Sequence, residues 1–402
     1  MYFYYSSSVL AGGEEKGKLV VFGDDLGDTG NLQHLENDTS IGYSSGRMTN
    51  GPVFVEYMAT QLNKQLLSLA YANSTISNTA SEAEMQRVPS LEMQIQNFTE
   101  TERNWIRRKS GPHNSIAVVT VGTNDVIYKE AAKITAKTAQ KLIDGMTKQI
   151  ENMEKLGFGG IVVSNLPAIY VFPRWRLSAI VDSVREFVKT SNMLLRKWVV
   201  SHQNQKPDVR LWLLDVEEFM LVTANSSFAK KISAKNSTGS CITEIGKCDD
   251  PEDFVFFDDL HMDSRLHHLL GLAAADLVKG ADIKYNAEYL GQMARKYDIG
   301  VLHQTTATAF AEKESLAAAG GAGMSTTGLG DPLITSTSSA ATNRTVLSTC
   351  TMGDQTALAY EQQQQQQQHL KSSHACGLGD WSKRWTLLNH VALAFLISAT
   401  FY

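Results

Sequence analysis

The sequence has little excess of charge of either sign. Among its 402 residues, 37 are Lys or Arg and 42 are Asp or Glu, which gives a formal net charge of -5 at pH 7. No run of Lys or Arg interrupts this balance. Because nucleic-acid binding and electrostatic membrane binding both need concentrated positive charge, we expect no nucleic-acid partner and no polybasic membrane patch.

Cysteine is scarce, with four residues in the chain. No second close pair of Cys or His accompanies any of them, which disfavours a zinc site, and we expect neither a metal nor a cofactor. Cys241 and Cys248 are separated by six residues in a loop rich in Ser, Thr and Gly, so a local disulfide is expected there. Cys350 and Cys376 are expected to be unpaired or removed by processing.

The N-terminal segment, residues 1–17, has neither a basic start nor a sustained apolar stretch, so it is a poor signal peptide. The C-terminal region instead shows small residues, a polar spacer and an apolar tail, the order typical of a lipid-anchor (GPI) signal. We therefore expect residues 386–402 to be such a signal and the chain to be anchored to the outer cell surface. The signal peptide is then absent or truncated in this sequence. A C-terminal core helix and a tail-anchoring span are the alternatives.

Other features favour a secreted protein. Residues 305–385 are rich in Ser, Thr, Ala and Gly and include a polyglutamine run, which predicts an extended stalk, preceded by a helical extension over 281–304. Six Asn-x-Ser/Thr sequences are candidate glycosylation sites: Asn37, Asn73, Asn97, Asn225, Asn236 and Asn343.

Short apolar segments alternate with helical patterns in residues 18–280. Strands are predicted at 18–24, 115–122, 160–167 and 209–216, and helical periodicity covers 129–156, 178–200 and the residues after 264. Near-continuous apolar strands suit a parallel sheet that is buried on both faces. We therefore predict a three-layer α/β/α domain of the flavodoxin-like kind, with a mainly parallel sheet. In such sheets ligands bind at the carboxyl ends of the strands.

Four motifs of this domain resemble the sequence blocks of the SGNH (GDSL) hydrolases, in the same order. They are FGDDLGDTGN (22–31), SGRMTNGPVFVEYMA (45–59), VTVGTNDV (119–126) and FFDDLHMDS (256–264). A single block would be weak support, whereas four ordered blocks are specific. The resemblance covers residues 18 to about 280. It implies an acyl-ester hydrolase of the lipase or esterase type, with a lipid or an acylated carbohydrate as substrate.

The resemblance also implies residue roles. His261 is the expected general base, Asp258 the residue that orients it, and Asn124 and Gly51 the expected oxyanion donors. Asp24, Asp28 and Asp125 are expected to brace the loops. His267 and His268 are expected to be helix-capping or surface residues.

Asp25 stands where the family has its nucleophilic serine. A carboxylate cannot be activated by proton removal, and it would tend to keep His261 protonated. Ester hydrolysis by the ordinary route is therefore expected to fall by several orders of magnitude. Three alternatives remain: a protein that binds a glycan or lipid without catalysis, an esterase in which Asp25 is a base or Ser44 or Ser45 the nucleophile, and a hydrolase in which Asp25 attacks saturated carbon.

Overall fold

The computed structural model describes residues 17–78, 88–108, 111–127 and 134–300, all within one compact unit. The expected stalk, the expected C-terminal signal and the sequence at Asn343 lie outside the described residues. Across the described residues, no helix is both long enough and apolar enough to cross a bilayer.

A five-stranded parallel sheet forms the centre, in the order β2-β1-β3-β4-β5. The strands of the described residues are β1 (Lys18–Gly23), β2 (Gln65–Ser68), β3 (Ile116–Thr120), β4 (Gly160–Ser164), β5 (Leu211–Leu214), β6 (Asn236–Ser240), β7 (Ile242–Thr243), β8 (Gly246–Lys247) and β9 (Phe254–Phe256). Within the central sheet, the strand that the sequence analysis missed is β2, an edge strand with one exposed and three half-buried residues. The short strands β6 to β9, which form two separate two-stranded sheets, were not predicted either. Its short QLLS pattern carries little of the apolar signal that marks the central strands.

Helices cover both faces of this sheet. They are α1 (Asn31–Glu36), α2 (Phe54–Gln61), α3 (Leu91–Thr101), α4 (Arg103–Ile106), α5 (Thr123–Ile127), α6 (Ala136–Glu154), α7 (Val181–Gln205), α8 (Val216–Thr223), α9 (Ser226–Ala229), α10 (Ser264–Val278) and α11 (Ala287–Lys296). Helix α2 packs against α10, while α6 packs against both α3 and α7. The predicted three-layer α/β/α fold with a mainly parallel sheet is confirmed.

The amphipathic pattern of α6 explains how a helix covers the sheet. Leu142, Met146, Ile150 and Met153 recur every three or four residues and are buried. The hydroxyl of Thr135 caps the first turn by accepting a hydrogen bond from the backbone N–H three residues later. The helix therefore begins at Ala136, later than the sequence pattern over 129–156 suggests.

The carboxyl ends of β1 and β3 carry two of the predicted site residues side by side. Gly23 pairs with Thr120 in the sheet, and the N–H of Asp24 donates to the carbonyl of Thr120 at 2.8 Å. Asp25 follows β1, and Asn124 lies in the first turn of α5 just after β3. Neighbouring parallel strands thus bring these two side chains to the same edge.

Gly23 makes this close approach possible. Its φ is +134°, and a Cβ atom built on it would lie 1.6 Å from the carbonyl oxygen of Thr120. A side chain is therefore excluded by contact with the backbone and is disfavoured by φ. Because Gly23 lacks one, the chain can turn directly from the strand into Asp24 and Asp25.

Candidate active site

The carboxylate of Asp25 is held by two donors from different segments. Its Oδ2 atom accepts a hydrogen bond of 2.6 Å from the side-chain amide of Asn124 and one of 3.0 Å from the backbone N–H of Asn73. Asn73 has a φ of +66°, a left-handed conformation that asparagine tolerates better than most residues. One carboxylate oxygen therefore occupies a place where two donors converge.

The segment that carries Asn73 is fixed by carboxylates that follow β1 and β3. The N–H of Ala72 donates to Asp28 at 2.7 Å, and the N–H of Ile76 donates to Asp125 at 3.1 Å. These bonds hold the chain on both sides of Asn73. Asp28 and Asp125 thus brace loops.

Gln94 joins the same segment to the end of β1, a role that the sequence analysis missed. Its side chain accepts from the N–H of Gly23 at 2.7 Å and donates to the carbonyl of Gly23 at 2.9 Å. The amide nitrogen also donates to the hydroxyl of Ser74 at 3.0 Å and to the carbonyl of Pro89 at 2.9 Å. Gln94 is 2% exposed and supplies the acceptor for the buried N–H of Gly23. The carbonyl of Gly23 also accepts from the N–H of Tyr71, and that of Pro89 from the hydroxyl of Ser74.

His261 lies between two carboxylates. Its Nδ1 is 2.8 Å from Oδ2 of Asp258, and its Nε2 is 3.2 Å from Oδ1 of Asp25. Asp258 also accepts from the N–H groups of Leu260 and His261 at 2.8 and 2.7 Å, so a tight turn after β9 sets the pair. The hydroxyl of Tyr43 donates to Asp258 at 3.0 Å.

These contacts shift the pKa values of all three groups. Burial alone would lower the pKa of His261, but the charges and hydrogen bonds of Asp258 and Asp25 outweigh it and raise that pKa to about 10. Burial would raise the pKa of Asp25, yet the hydrogen bond and charge of His261, followed by the bonds from Asn124 and Asn73, lower it. Burial would likewise raise the pKa of Asp258, but the charge of His261 and the hydrogen bonds from His261 and Leu260 together lower it. The triad is therefore an imidazolium between two carboxylates at neutral pH.

Asp24 behaves differently from its neighbour. It is 2% exposed, and burial, followed by the charge of Asp25, raises its pKa well above the ordinary value. Both effects favour the protonated form of Asp24. The pKa values of the two adjacent acidic residues therefore shift in opposite directions, because Asp25 has the imidazole of His261 and two donors beside it, whereas Asp24 accepts one long bond of 3.4 Å from the N–H of Leu26.

A cavity of about 280 Å³ opens beside this triad. Its walls are mainly apolar, and its polar residues lie around Asp25 and His261. The lining residues are Asp24, Asp25, Leu26, Met48, Val53, Asn73, Thr123, Asn124, Ile127, Pro167, Phe172, Val216, Met220, Leu260, His261, Met262 and His267. Neither Ser44 nor Ser45 belongs to this lining, and Thr123 supplies its one hydroxyl among the residues that the structure describes.

Of the two alternatives for His267, the surface position was wrong, whereas the ring does cap a helix, namely α2, which begins at Phe54. The ring is 3% exposed and lines the cavity, and its Nδ1 accepts from the backbone N–H of Phe54 at 3.2 Å. Burial, followed by the charge of His261, lowers the pKa of His267 to about 3. His268, by contrast, stacks on Tyr57 with the ring centroids 4.2 Å apart.

Gly51 is not part of the cavity lining, and a Cβ atom built on it would lie 2.6 Å from the hydroxyl of Ser264. Its role as an oxyanion donor stays a prediction. The backbone N–H that bonds to Asp25 is that of Asn73, which the sequence analysis did not name. No sequence signal marks that donor, because every residue except proline carries the same N–H group.

The predicted disulfide and the candidate glycosylation sites are the other sequence-predicted features of the described residues. Cys241 and Cys248 are joined by a disulfide, and their loop contacts the strand before Asp258. Among the candidate glycosylation sites, three asparagines are exposed and two are half-buried. The exposed ones are Asn37, Asn97 and Asn225; the half-buried ones are Asn73 and Asn236.

Comparison with known proteins places the chain among ester hydrolases. Residues 19–274 match the family model described as GDSL-like Lipase/Acylhydrolase. The phosphatidylcholine-sterol acyltransferase of Aeromonas hydrophila is 26% identical over 182 residues, which cover 44% of this chain and about half (52%) of that protein. A GDSL esterase/lipase of Arabidopsis thaliana is 21% identical over 301 residues, covering 61% of this chain and 82% of the relative. An Arabidopsis protein named as an inactive GDSL esterase/lipase-like protein is 22% identical over 304 residues, covering 66% and 71%.

Solved structures of similar proteins include two bacterial examples. A member of the lipolytic G-D-S-L family from Veillonella parvula aligns with a TM-score of 0.37 at 13% identity, covering 66% of this chain and 99% of its own. A carbohydrate acetylesterase from Sinorhizobium meliloti aligns with a TM-score of 0.36 at 14% identity, with the same coverage.

Proposed function

This chain belongs to the GDSL-like lipase/acylhydrolase family, and from that premise we propose that it is a member whose ester hydrolysis is lost or strongly impaired by Asp25. The observation that carries the proposal is the environment of the Asp25 carboxylate. One oxygen accepts from Asn124 and Asn73, and the other lies against the imidazolium of His261. The carboxylate thus engages both the base and the donors that an ester would need.

The first consequence concerns the nucleophile and its base. Attack by a carboxylate on an ester would form a mixed anhydride and expel the poorer alkoxide leaving group, which is uphill. His261 has a pKa near 10, so at neutral pH it carries a proton and cannot accept another from a hydroxyl or a water. His261 is therefore not available as the general base for acyl transfer at neutral pH.

The second consequence concerns the oxyanion. An ester carbonyl could use the donors of Asn124 and Asn73 only if Oδ2 of Asp25 left them. Removing one such donor from an acyl hydrolase costs about 3 kcal/mol of transition-state stabilisation. Asp25 therefore impairs this route twice, once by replacing the hydroxyl and once by filling the donor site.

The cavity supports ligand binding in place of turnover. Its apolar walls suit a hydrocarbon chain, and its polar residues cluster near Asp25 and His261. We propose a small ester, a lipid or an acylated carbohydrate as the ligand. The name of the Aeromonas relative includes a lipid, phosphatidylcholine, and the name of one Arabidopsis relative includes the word inactive; these names support a lipid ligand and the loss of activity.

Replacement of one residue tests the proposal. Purified wild-type protein and the variants Asp25→Ser, Asp25→Asn and Asp25→Ser/His261→Ala are assayed on p-nitrophenyl acetate and butyrate. We expect Asp25→Ser to raise kcat/KM by about a thousandfold or more, because Asp258, which orients the base, is in place and so are the donors of Asn124 and Asn73. The added His261→Ala change is expected to abolish that gain.

Two other results would reject the proposal in different ways. Wild-type activity equal to that of Asp25→Ser and lost in Asp25→Asn would make the aspartate itself catalytic, as a base or as a nucleophile. Absence of activity in Asp25→Ser would mean that the site lacks more than the hydroxyl. Testing an alkyl halide and an epoxide with the same variants distinguishes attack on saturated carbon from acyl transfer.

We also propose that the protein acts at the cell surface and is held there by a C-terminal lipid anchor. The disulfide between Cys241 and Cys248 supports an oxidising compartment, and exposed sequons at Asn97 and Asn225 support passage through the secretory pathway. Phosphatidylinositol-specific phospholipase C is expected to release the protein from expressing cells, with a transmembrane-anchored variant as the control. Retention on the cells after treatment would reject the anchor.

A further inference from the structure

His267 is a second imidazole in the cavity, in the first turns of α10 and six residues beyond His261. It is 3% exposed, and its ring lines the same cavity as Asp25 and His261. No step of the proposed chemistry uses it.

The backbone fixes which nitrogen of His267 carries the proton. Because Nδ1 accepts from the N–H of Phe54 at 3.2 Å, the neutral ring must hold its proton on Nε2. Burial keeps the ring neutral, with its pKa lowered to about 3. His267 therefore presents one fixed N–H donor across the ordinary pH range.

This donor faces the cavity. Nε2 makes no hydrogen bond among the residues that the structure describes, and it is not one of the sealed, unpaired polar atoms of those residues. Since the ring is almost wholly buried and lines the cavity, the remaining access to Nε2 is from the cavity itself. A buried, unpartnered N–H of this kind costs free energy until a ligand supplies an acceptor.

Charge determines what kind of acceptor fits. Asp25 and Asp258 are ionised and His261 is protonated, so the triad carries one net negative charge. A carboxylate ligand would be repelled by this charge, whereas an uncharged oxygen would not. The walls of the cavity require that oxygen to be attached to an apolar chain.

We propose that the Nε2–H of His267 is the polar recognition point of the cavity and donates a hydrogen bond to an uncharged oxygen of a chain-bearing ligand, such as an alcohol or an ester. This inference rests on the proposed function, since it supplies a donor for a ligand that cannot use Asn124 and Asn73 while Asp25 holds them. The cavity is then expected to bind neutral lipids and to exclude the corresponding free acids.

Binding of three six-carbon probes tests the proposal. The affinities of 1-hexanol, hexane and hexanoate for the full chain are measured by calorimetry at pH 7. We expect 1-hexanol to bind at least about tenfold more tightly than hexanoate. His267→Phe is expected to lower the affinity for 1-hexanol about threefold to tenfold, which corresponds to the loss of one hydrogen bond, and to leave the affinity for hexane undiminished. His268→Phe, a matched change next to it on α10 but outside the cavity lining, is expected to change neither affinity.

A measurement on the wild-type protein keeps the proposal testable if His267→Phe fails to fold, because that variant leaves the N–H of Phe54 without its acceptor. Nitrogen-15 NMR is expected to show His267 neutral with the proton on Nε2, and its Nε2–H signal is expected to shift on addition of 1-hexanol. Any of four results would overturn the proposal. In the NMR measurement it is a proton on Nδ1 of His267. In the binding measurements it is an equal loss of affinity for 1-hexanol and hexane in His267→Phe, hexanoate binding as tight as that of 1-hexanol, or no binding of 1-hexanol. Since 1-hexanol is not an ester, this result is independent of whether the wild-type protein hydrolyses esters.

Discussion

The side-chain amide of Asn124 donates a hydrogen bond of 2.6 Å to Oδ2 of Asp25, across the ends of the neighbouring strands β1 and β3. The amide of Asn124 is therefore hydrogen-bonded to a carboxylate oxygen of the protein itself. Two donors, the amide of Asn124 and the N–H of Asn73, and the imidazole of His261 surround position 25, and the residue at their centre is an anion.

Asn124→Ala is expected to raise the pKa of Asp25, because a hydrogen bond that favours the charged carboxylate is removed. Loss of a hydrogen bond to a charged group is expected to lower the free energy of unfolding by about 1.5–3 kcal/mol. Carbon-13 NMR of the carboxyl group and urea denaturation measure the two effects. Asn78→Ala, at an exposed asparagine, is the control and is expected to change stability by less than about 0.5 kcal/mol. An unchanged pKa in Asn124→Ala would contradict the role of this bond.

The pKa of His261 is expected to fall in Asp25→Asn, because one of the two carboxylates that raise it to about 10 is removed. Nitrogen-15 NMR should show the wild-type ring protonated on both nitrogens at pH 8. His268, whose pKa is lowered to about 4 by burial, should titrate identically in both proteins and is the internal control. A neutral His261 in the wild-type protein at pH 8 would be incompatible with an Asp25–His261 ion pair.

The same pair predicts how stability changes with pH. The raised pKa of His261 gives stability that is fully present below about pH 6.5 and is lost as the pH rises towards 10. The lowered pKa of Asp25 gives stability that is present above about pH 4 and is lost on further acidification. The difference in free energy of unfolding between wild type and Asp25→Asn is therefore expected to be greatest between about pH 4 and 6.5. A difference that grows above pH 7 in urea denaturation would contradict this assignment.

Gln94→Leu is expected to destabilise the protein by about 1–3 kcal/mol, since it leaves the buried N–H of Gly23 without its acceptor and removes a donor from the carbonyl of Gly23 and the hydroxyl of Ser74. Gln96→Leu makes the same change on the exposed face of α3 and is expected to cost less than about 0.5 kcal/mol. Urea denaturation of both variants gives the comparison. Equal effects would show that Gln94 does not hold the end of β1.

Gly23→Ala is expected to destabilise the protein by more than about 3 kcal/mol, because the new methyl group would meet the carbonyl of Thr120 at 1.6 Å. Gly157→Ala is the matched control: φ is also positive there, but no atom lies within 4 Å of the added methyl group. It is expected to cost only about 1–2 kcal/mol. Thermal unfolding should therefore rank the two variants, and the reverse order would contradict the close approach at Gly23.

Much of the architecture could be predicted from the sequence, because the apolar residues of buried strands and amphipathic helices recur in patterns that indicate which positions are buried. The strands β1, β3, β4 and β5 follow the runs of β-branched and apolar residues, and α7 and α10 follow their periodicity. The exception within the central sheet is β2, whose half-buried edge position demands little apolar character, and the short strands β6 to β9 outside it were also not predicted. Asp25, Asn124, Asp258 and His261 could be named in advance because their side chains form short ordered motifs.

Only the tertiary structure decided what surrounds those residues. The N–H of Asn73 reaches Asp25 from 48 positions away, Gln94 reaches Gly23 from 71, and Phe54 fixes the tautomer of His267 from 213. The donor in all three contacts is a backbone N–H that every non-proline residue carries, so residue identity does not reveal them. The pKa values of Asp24, Asp25 and His261 likewise depend on burial and on charges brought together by folding, which the order of residues alone does not contain.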